Sequence, residues 1–202
     1  MIHVKILRHS ERFDYTYPIF WLFYFGYYWA DAPLTSHGHF LAYEKGKEIA
    51  RNHVEFNPKY IYTSPYSRTL ETSTQIKKSF PNSEIIIETL LAEYQPNYAH
   101  KISLYPDGIP TIFGGNETNF SYPETYEEFT NRVDFIISKL IEKKSDLIII
   151  THGEVLKTYV NLIQELYPEL ILEPGITPYL TVLSFDYDYE NDVIVEDSIK
   201  IE

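Results

Sequence analysis

Apolar and polar positions along this chain follow two periods that alternate. Short β-rich or apolar runs at residues 2–7, 60–63, 84–88 and 146–150 predict strands, and 177–185 and 193–199 predict two more that could form a hairpin. Longer runs with helical spacing lie between them, at residues 36–52, 67–79, 123–143 and 153–166. Ser36 is a candidate cap for the first of these helices, and Pro123 suits the start of the third.

This alternation of strands and helices predicts the fold class. It favours an α/β protein in which a mostly parallel central sheet lies between helices, a three-layer α/β/α sandwich. A chain of 202 residues suits one domain, so we expect residues 1–202 to form a single unit. In such sheets ligands bind beyond the carboxyl ends of the strands, which is where functional motifs should fall.

Two segments interrupt the alternation. Residues 13–30 form an aromatic insertion whose uncharged part is shorter than the ~20 residues of a membrane-spanning helix. We interpret it as a loop that packs on the domain or rims a pocket. Residues 94–122 are rich in proline and glycine and predict a long loop, and loops of that length are usually functional or disordered.

Composition narrows the possible functions. A formal net charge of -12 disfavours direct binding to nucleic acid or anionic membranes, so any phosphate chemistry needs a local basic pocket. The chain has no cysteine, which excludes disulfides, thiolate nucleophiles and thiolate metal sites. We expect a cytoplasmic location, or a nuclear one.

Three motifs pass the positional test, because each directly follows a predicted strand. They are Arg8-His9-Ser10-Glu11-Arg12, Ser64-Pro65-Tyr66-Ser67-Arg68 and Thr151-His152-Gly153-Glu154. Together they would bring two histidines and three arginines to one rim. Arginine offers a planar fork of donors that matches phosphate oxygens, and a neutral histidine nitrogen can act as a nucleophile.

These motifs closely resemble the histidine phosphatase superfamily, also called phosphoglycerate mutase-like. The family's Arg-His-Gly motif corresponds to Arg8-His9-Ser10, its Ser-Pro with a downstream Arg to Ser64-Pro65 and Arg68, and its late His-Gly to His152-Gly153. A further pattern, Asp-x-Pro-Leu-Thr-x-x-Gly, is matched at residues 31–38. Ser10 departs from the family's glycine, although its hydroxyl could reach a phosphate.

The resemblance implies a role for each residue. His9 would accept the phosphoryl group, Arg8, Arg68 and His152 would bind the phosphate, and Arg12 would be an additional ligand. Glu93 sits where the family keeps its general acid and base. No metal or organic cofactor is implied. Other carboxylates near Glu93 in the sequence are Glu88, Glu117 and Glu124.

A narrower resemblance concerns the substrate. Residues 8–14, the aromatic insertion, residues 31–38 and residues 123–129 resemble UBASH-type phosphatase domains, and related domains occur in a subunit of an RNA polymerase III transcription factor. The resemblance to UBASH-type domains implies phosphotyrosine or another aryl phosphate as substrate.

Each feature also has a structural interpretation. Alone, Arg8, Arg12 and Arg68 would be surface cations, His9 a hydrogen-bonded structural residue, and His152 a helix cap. His37 and His39 flank Gly38, but without a third ligand at a convincing spacing a solvated turn is favoured over a metal site.

Three functions therefore stand at this point. The leading one is a phosphatase that hydrolyses a phosphorylated small molecule or a phosphoprotein through His9. A mutase acting on a phosphorylated glycerate would need further basic residues and a bisphosphate primer. A phosphate-binding scaffold of low activity inside a protein complex belongs to a different class. The sequence leaves the oligomeric state open.

Overall fold

A computed structural model describes residues 1–24, 31–96, 111–112, 123–169 and 177–202 of this chain. The strands are β1 (Ile2–Arg8), β2 (Tyr60–Thr63), β3 (Glu84–Glu88), β4 (Thr111–Ile112), β5 (Leu147–Thr151), β6 (Val182–Asp188) and β7 (Val193–Ile201). The helices are α1 (Phe13–Thr16), α2 (Pro18–Tyr24), α3 (Ser36–Asn52), α4 (Ser67–Lys77), α5 (Tyr126–Ile141) and α6 (Gly153–Leu166). A short 3₁₀ turn, Thr89–Leu91, follows β3.

The strands of the described residues form one sheet in the order β4-β3-β2-β5-β1-β6-β7. Pairing is parallel from β4 through to β1, whereas β6 runs antiparallel to β1, and β7 runs antiparallel to β6. The central strand β5, Leu-Ile-Ile-Ile-Thr, is buried along its whole length, as expected for a strand covered on both faces. The prediction of a mostly parallel sheet is confirmed.

Helices cover both faces of this sheet. One apolar cluster joins α5 and α6 to the face that carries Val4, Ile6 and Ile149. A second cluster joins α3 and α4 to the opposite face, which carries Leu7 and Ile148. The predicted three-layer α/β/α arrangement is therefore confirmed, with β1 and β5 supplying apolar side chains to both layers because strand side chains alternate between faces.

Several predicted boundaries match the structure, and others differ from the prediction because of capping hydrogen bonds or backbone conformation. The cap of α3 is Thr35, whose side chain accepts a hydrogen bond from Gly38 N, so the assignment of Ser36 was wrong. Helix α5 begins at Tyr126 rather than Pro123, because Thr125 and Glu128 form a reciprocal capping box. Strand β6 begins five residues later than predicted, after Leu180 adopts a left-handed φ of 62°.

The aromatic insertion is helical rather than a loop as far as Tyr24. Phe13 and Trp21 pack together with their rings 6.4 Å apart, and Trp21 is buried. Ile19 and Phe23 instead face outward, with 70% and 77% of their surfaces exposed. Residues 25–30, and most of the predicted loop at 94–122, lie outside the described residues.

None of the helices in the described ranges combines the length and apolar composition that spanning a bilayer requires.

Candidate active site

Three neighbouring parallel strands bring the three motifs to one edge of the sheet. His9 follows β1, Ser64 follows β2 and His152 follows β5, and these strands are adjacent in the order β2-β5-β1. Backbone hydrogen bonds between the strands extend into the motifs, since His9 N donates to Thr151 O at 2.9 Å and Ser64 N donates to Ile150 O at 3.0 Å. The rings of His9 and His152 consequently lie 5.4 Å apart.

His9 is held in one tautomer by its own loop. Its Nδ1 lies 2.8 Å from the carbonyl oxygen of Ser10, which can only accept, so Nδ1 carries the proton. The lone pair is therefore on Nε2. Burial, together with the positive charges of Arg68 and Arg8, holds the pKa of His9 well below 6.5, so the ring is neutral at ordinary pH.

His152 is held in the opposite tautomer. Arg68 Nη2 donates to His152 Nδ1 at 3.1 Å, so the proton must be on Nε2, which donates to Ser64 Oγ at 2.7 Å. Burial and the charge of Arg68 also hold the pKa of His152 well below 6.5. His9, Ser64, Arg68 and His152 are all buried, and we call them the pocket floor.

The side chain of Arg8 extends past Gly153 to the segment that precedes β6. Its Nη1 donates to Thr177 O, and its guanidinium lies 4.6 Å from the ring centre of Tyr179. A Cβ on Gly153 would come within 3.2 Å of Arg8 Nε and 2.9 Å of Thr177 Oγ1, so glycine leaves room for this arginine. Within the described part of the chain, the buried Arg8 Nε has no hydrogen-bond partner.

Arg12 is oriented by a neighbouring carboxylate. Its Nε and Nη2 donate to the two oxygens of Asp14 at 2.6 Å and 2.5 Å, and its guanidinium lies 4.3 Å from the ring centre of Tyr15. The charge of Arg12 lowers the pKa of both His9 and Glu93, although less than that of Arg68 does. We call Arg8, Arg12, Tyr15 and Tyr179 the pocket mouth.

Glu93 lies against the floor of the same pocket. Its Oε2 is 3.4 Å from His152 Nδ1, and its side chain keeps 26% exposure. Its buried Oε1 has no hydrogen-bond partner among the residues described. Burial raises the pKa of Glu93 above 4.5 and so favours the protonated acid, although the positive charge of Arg68 acts in the opposite direction.

The alternative carboxylates have other partners or lie elsewhere. Glu124 binds Arg132 through both of its oxygens, at 2.6 Å and 2.8 Å. Glu88 accepts from Leu90 N at 2.9 Å, and burial raises its pKa to about 7. Glu117 is outside the described residues. Among the described carboxylates, Glu93 is thus the candidate that the geometry favours.

Ser10 is turned away from the pocket. Its hydroxyl donates to Gly38 O at 2.7 Å, and its backbone N donates to Thr72 Oγ1 at 3.0 Å. The suggestion that this hydroxyl could reach a phosphate is therefore wrong for this arrangement. Gly38 is itself indispensable here, since a Cβ at this position would lie 2.3 Å from Glu11 O.

The pattern at residues 31–38 ties the first two motifs together. Asp31 accepts from Ser67 N at 2.7 Å and Ser67 Oγ at 3.0 Å, at the start of α4. Thr35 donates to Glu11 Oε1 at 2.5 Å. These residues do not line the pocket, but they hold the loop after β1 and the helix that carries Arg68 in place.

Sequence reasoning missed Thr177 and Tyr179, which it placed inside a strand. Thr177 O accepts from Arg8, and the ring of Tyr179 lies 5.7 Å from that of His9. The signal that could have found them was the predicted hairpin. A strand that pairs antiparallel with β1 must begin beside the end of β1, and hence beside His9.

His37 and His39 point to separate carboxylates. His37 Nδ1 is 3.6 Å from Glu11 Oε2, and His39 Nε2 is 3.4 Å from Glu71 Oε2. No group of three metal-ligating side chains occurs among the residues that the structure describes.

Comparison with known proteins places this site in a family. A family profile of the histidine phosphatase superfamily, branch 1, matches residues 26–198. An uncharacterized phosphoglycerate mutase family protein of Acanthamoeba polyphaga mimivirus is 60% identical over 203 residues, which is 100% of this chain and 98% of that protein.

Solved structures agree on the fold. The ecdysone phosphate phosphatase of Bombix mori, in complex with tungstate, has a TM-score of 0.70 at 20% identity, over 99% of this chain and 94% of that one. The phosphoserine phosphatase of Entamoeba histolytica, as an H9A mutant with phosphoserine, has a TM-score of 0.59 at 17% identity, over 97% and 96% of the two chains.

The fold and the site together define a class of protein. It is an α/β/α protein that has paired histidines and converging arginines at the ends of its parallel strands. This chain belongs to the histidine phosphatase superfamily, branch 1. The profile begins after residues 8–12, so the assignment of the His9 motif rests on its geometry in the structure.

Proposed function

We propose that this protein is a metal-independent phosphatase that hydrolyses phosphomonoesters through a phosphohistidine on His9. One observation carries the proposal. A neutral histidine presents an unprotonated Nε2 within a cluster of arginine charges, of which Arg68, Arg8 and Arg12 all act on its pKa. A neutral imidazole among cations suits attack on a phosphate dianion, since the cations bind the dianion and leave the nucleophile uncharged.

The first chemical step transfers the phosphoryl group. His9 Nε2 attacks phosphorus, an N–P bond forms, and the ester P–O bond breaks. Arg8 and Arg68 bind the equatorial oxygens, with Arg12 as an additional ligand, and Arg8 Nε is a buried donor without a partner in the described residues. Glu93, whose pKa burial raises, delivers a proton from its protonated form to the leaving oxygen.

The second step releases phosphate. Glu93, now a carboxylate, takes a proton from water as the water oxygen attacks phosphorus. The N–P bond breaks, and the electron pair returns to His9 Nε2. The products are the free alcohol and inorganic phosphate, and both side chains regain their starting protonation states.

The pocket mouth favours an aryl phosphate, such as phosphotyrosine. Tyr179 and Tyr15 stand over Arg8 and Arg12, so flat aromatic surface lies directly beside the cations that would bind phosphate. Aromatic rings pack well on such surfaces. The resemblance of the insertion and its flanking residues to UBASH-type domains supports the same substrate class.

Release of phosphate from p-nitrophenyl phosphate tests the proposal. Wild-type protein and a His9→Ala variant are assayed over pH ~4–8, with a chelator present throughout. Ser10→Ala is the matched control, since it alters the neighbouring side chain, whose hydroxyl points to Gly38. We expect wild-type and control turnover that survives the chelator, and a loss on the order of 10⁴-fold or more in His9→Ala.

Three other results would contradict the proposal. Turnover that vanishes with the chelator would indicate a metal-dependent reaction. Turnover that needs a bisphosphate primer would indicate a mutase. A folded wild-type protein that binds phosphate but releases none at any pH would indicate a phosphate-binding scaffold.

A further inference from the structure

A fully buried arginine lies behind the pocket, outside the residues that would bind phosphate. Arg132, on α5, has no exposed surface. Its Nε and Nη2 bind Glu124 at 2.8 Å and 2.6 Å, and Glu124 is also buried. Its remaining donor, Nη1, is directed at Leu90 O at 2.5 Å and Ala92 O at 3.0 Å.

Those carbonyls belong to the segment that ends at Glu93. The carbonyls of Leu90, Leu91 and Ala92 each accept a hydrogen bond from a side chain on another element. Arg132 supplies the first and third of these bonds, and Thr151 Oγ1 supplies the second at 2.8 Å. The backbone immediately before Glu93 is therefore fixed by side chains of α5 and β5.

The same ion pair holds the backbone on the other side of Glu93. Gln95 N donates to Glu124 Oε1 at 3.3 Å, and Glu124 N donates to Gln95 O at 3.0 Å. Arg132 and Glu124 thus form hydrogen bonds with the backbone of Leu90, Ala92 and Gln95. Glu93 lies between these two points of attachment.

The energetics favour a positioning role over a purely stabilising one. A buried ion pair costs several kcal/mol of desolvation per ion, and apolar residues of similar volume often stabilise a core as well or better. A buried network can instead specify one backbone geometry. A general acid needs such geometry, because proton transfer requires hydrogen-bond reach of the leaving oxygen.

We infer that Arg132 and Glu124 are positioning residues that aim the Glu93 carboxyl at the leaving-group oxygen. This inference rests on the proposed phosphatase activity. Neither side chain touches the substrate, so their removal should impair the step that uses Glu93 and leave phosphate binding by the arginines intact.

The test compares two substrates that differ in how much they need a proton. Nitrophenolate leaves readily without one, whereas the phenolate of phenyl phosphate is as basic as tyrosine and needs general acid help. The variant is Arg132→Lys, which keeps the charge but removes the fork. Arg51→Lys, at an exposed arginine far from the site, is the matched control.

We expect Arg132→Lys to lower kcat for phenyl phosphate by about 10- to 100-fold and for p-nitrophenyl phosphate by under about 3-fold, with KM unchanged for both. In a Glu93→Gln background the same change should add no further loss with phenyl phosphate, because the group it positions is gone. If Arg132→Lys does not fold, Glu124→Gln, which keeps the shape of the side chain, is assayed in the same way.

Equal losses on both substrates, or a loss that adds fully to that of Glu93→Gln, would overturn the inference and leave Arg132 with a structural role. Absence of turnover by the wild-type protein on either substrate is a different result. It would remove the proposed function itself, and with it the step that Arg132 is inferred to serve.

Discussion

The pocket floor and the pocket mouth border the same pocket, but they differ in burial and in the contacts that their side chains make. Every member of the floor is buried, and hydrogen bonds of 2.7 Å to 3.1 Å join Ser64, His152 and Arg68 in series. In the mouth, Arg8 and Arg12 lie over tyrosine rings, and Tyr15 is 67% exposed. The floor fixes protonation states, whereas the mouth presents partly exposed charge beside aromatic surface.

This difference separates two tasks. Chemistry at phosphorus is the same for every phosphomonoester, so a rigid floor suits it. Recognition of the alcohol differs from substrate to substrate, and adaptable aromatic surface suits that task. Changes in the floor should therefore affect all substrates alike, and changes to the two tyrosines of the mouth should affect some substrates more than others.

The largest expected effect comes from the floor. Arg68→Ala removes a buried donor that orients His152 and whose charge lowers the pKa of His9 more than that of Arg8 or Arg12 does. We expect kcat/KM to fall on the order of 10²- to 10³-fold for aryl and alkyl phosphates alike. Steady-state kinetics on phenyl phosphate and glycerol phosphate measure it, with Arg51→Ala as the surface control. A loss confined to one substrate would place Arg68 functionally in the mouth.

The next prediction concerns pH. Turnover needs His9 neutral, which holds above its lowered pKa, and Glu93 protonated, which holds below its raised pKa. Activity should therefore fall at low pH as His9 gains a proton and at high pH as Glu93 loses one. Glu93→Gln should remove the alkaline limb and lower kcat for phenyl phosphate by roughly 10²-fold. An alkaline limb that persists in this variant would assign it to another group.

A smaller and more selective effect is expected in the mouth. Tyr15→Ala removes an exposed ring beside Arg12. An aromatic contact is worth about 0.5–1.5 kcal/mol, so KM for phenyl phosphate should rise about 3- to 10-fold, with kcat and the kinetics on glycerol phosphate unchanged. Tyr189→Ala, at a partly exposed ring on the β6–β7 hairpin, is the control. An equal rise in KM for both substrates would argue against a separate mouth.

The smallest effect should appear in stability alone. Ser10→Gly removes the buried bond to Gly38 O and should lower the free energy of unfolding by about 1–2 kcal/mol, with kcat nearly unchanged. Ser145→Gly is a matched control, since its buried hydroxyl has no hydrogen-bond partner in the described part of the chain. Urea unfolding measures both variants. Equal losses would mean that the Ser10 bond contributes nothing.

The sequence predicted the floor, and the two arginines of the mouth, better than it predicted the tyrosines of the mouth. His9 and His152 follow β-rich runs whose parallel pairing forces them together, so local pattern and sheet geometry were sufficient. Arg68 stood four residues after Ser64, which follows β2, the neighbour of β5 in the sheet. The residues named for the floor thus follow from motifs that stand directly after predicted strands.

The mouth depends on longer-range features. Thr177 and Tyr179 are 169 and 170 residues beyond Arg8 and His9, and only the antiparallel pairing of β6 with β1 brings them together. The helical start of the aromatic insertion was hidden because bulky aromatic residues have modest helix propensity, and tertiary packing of Trp21 on Phe13 outweighs it. Arg132 was missed because a buried cation in a helix has no signature in periodicity.

The reversed direction of β6 has a consequence for how such proteins diversify. Leu7 pairs with Val182, so the start of this strand is anchored beside the nucleophile by the sheet itself. Thr177 and Tyr179, which precede Val182, therefore lie beside Arg8 and His9. Exchanging residues 177–181, directly before β6, should change which alcohol is accepted without rebuilding the reaction centre, so specificity can evolve or be engineered in this short segment.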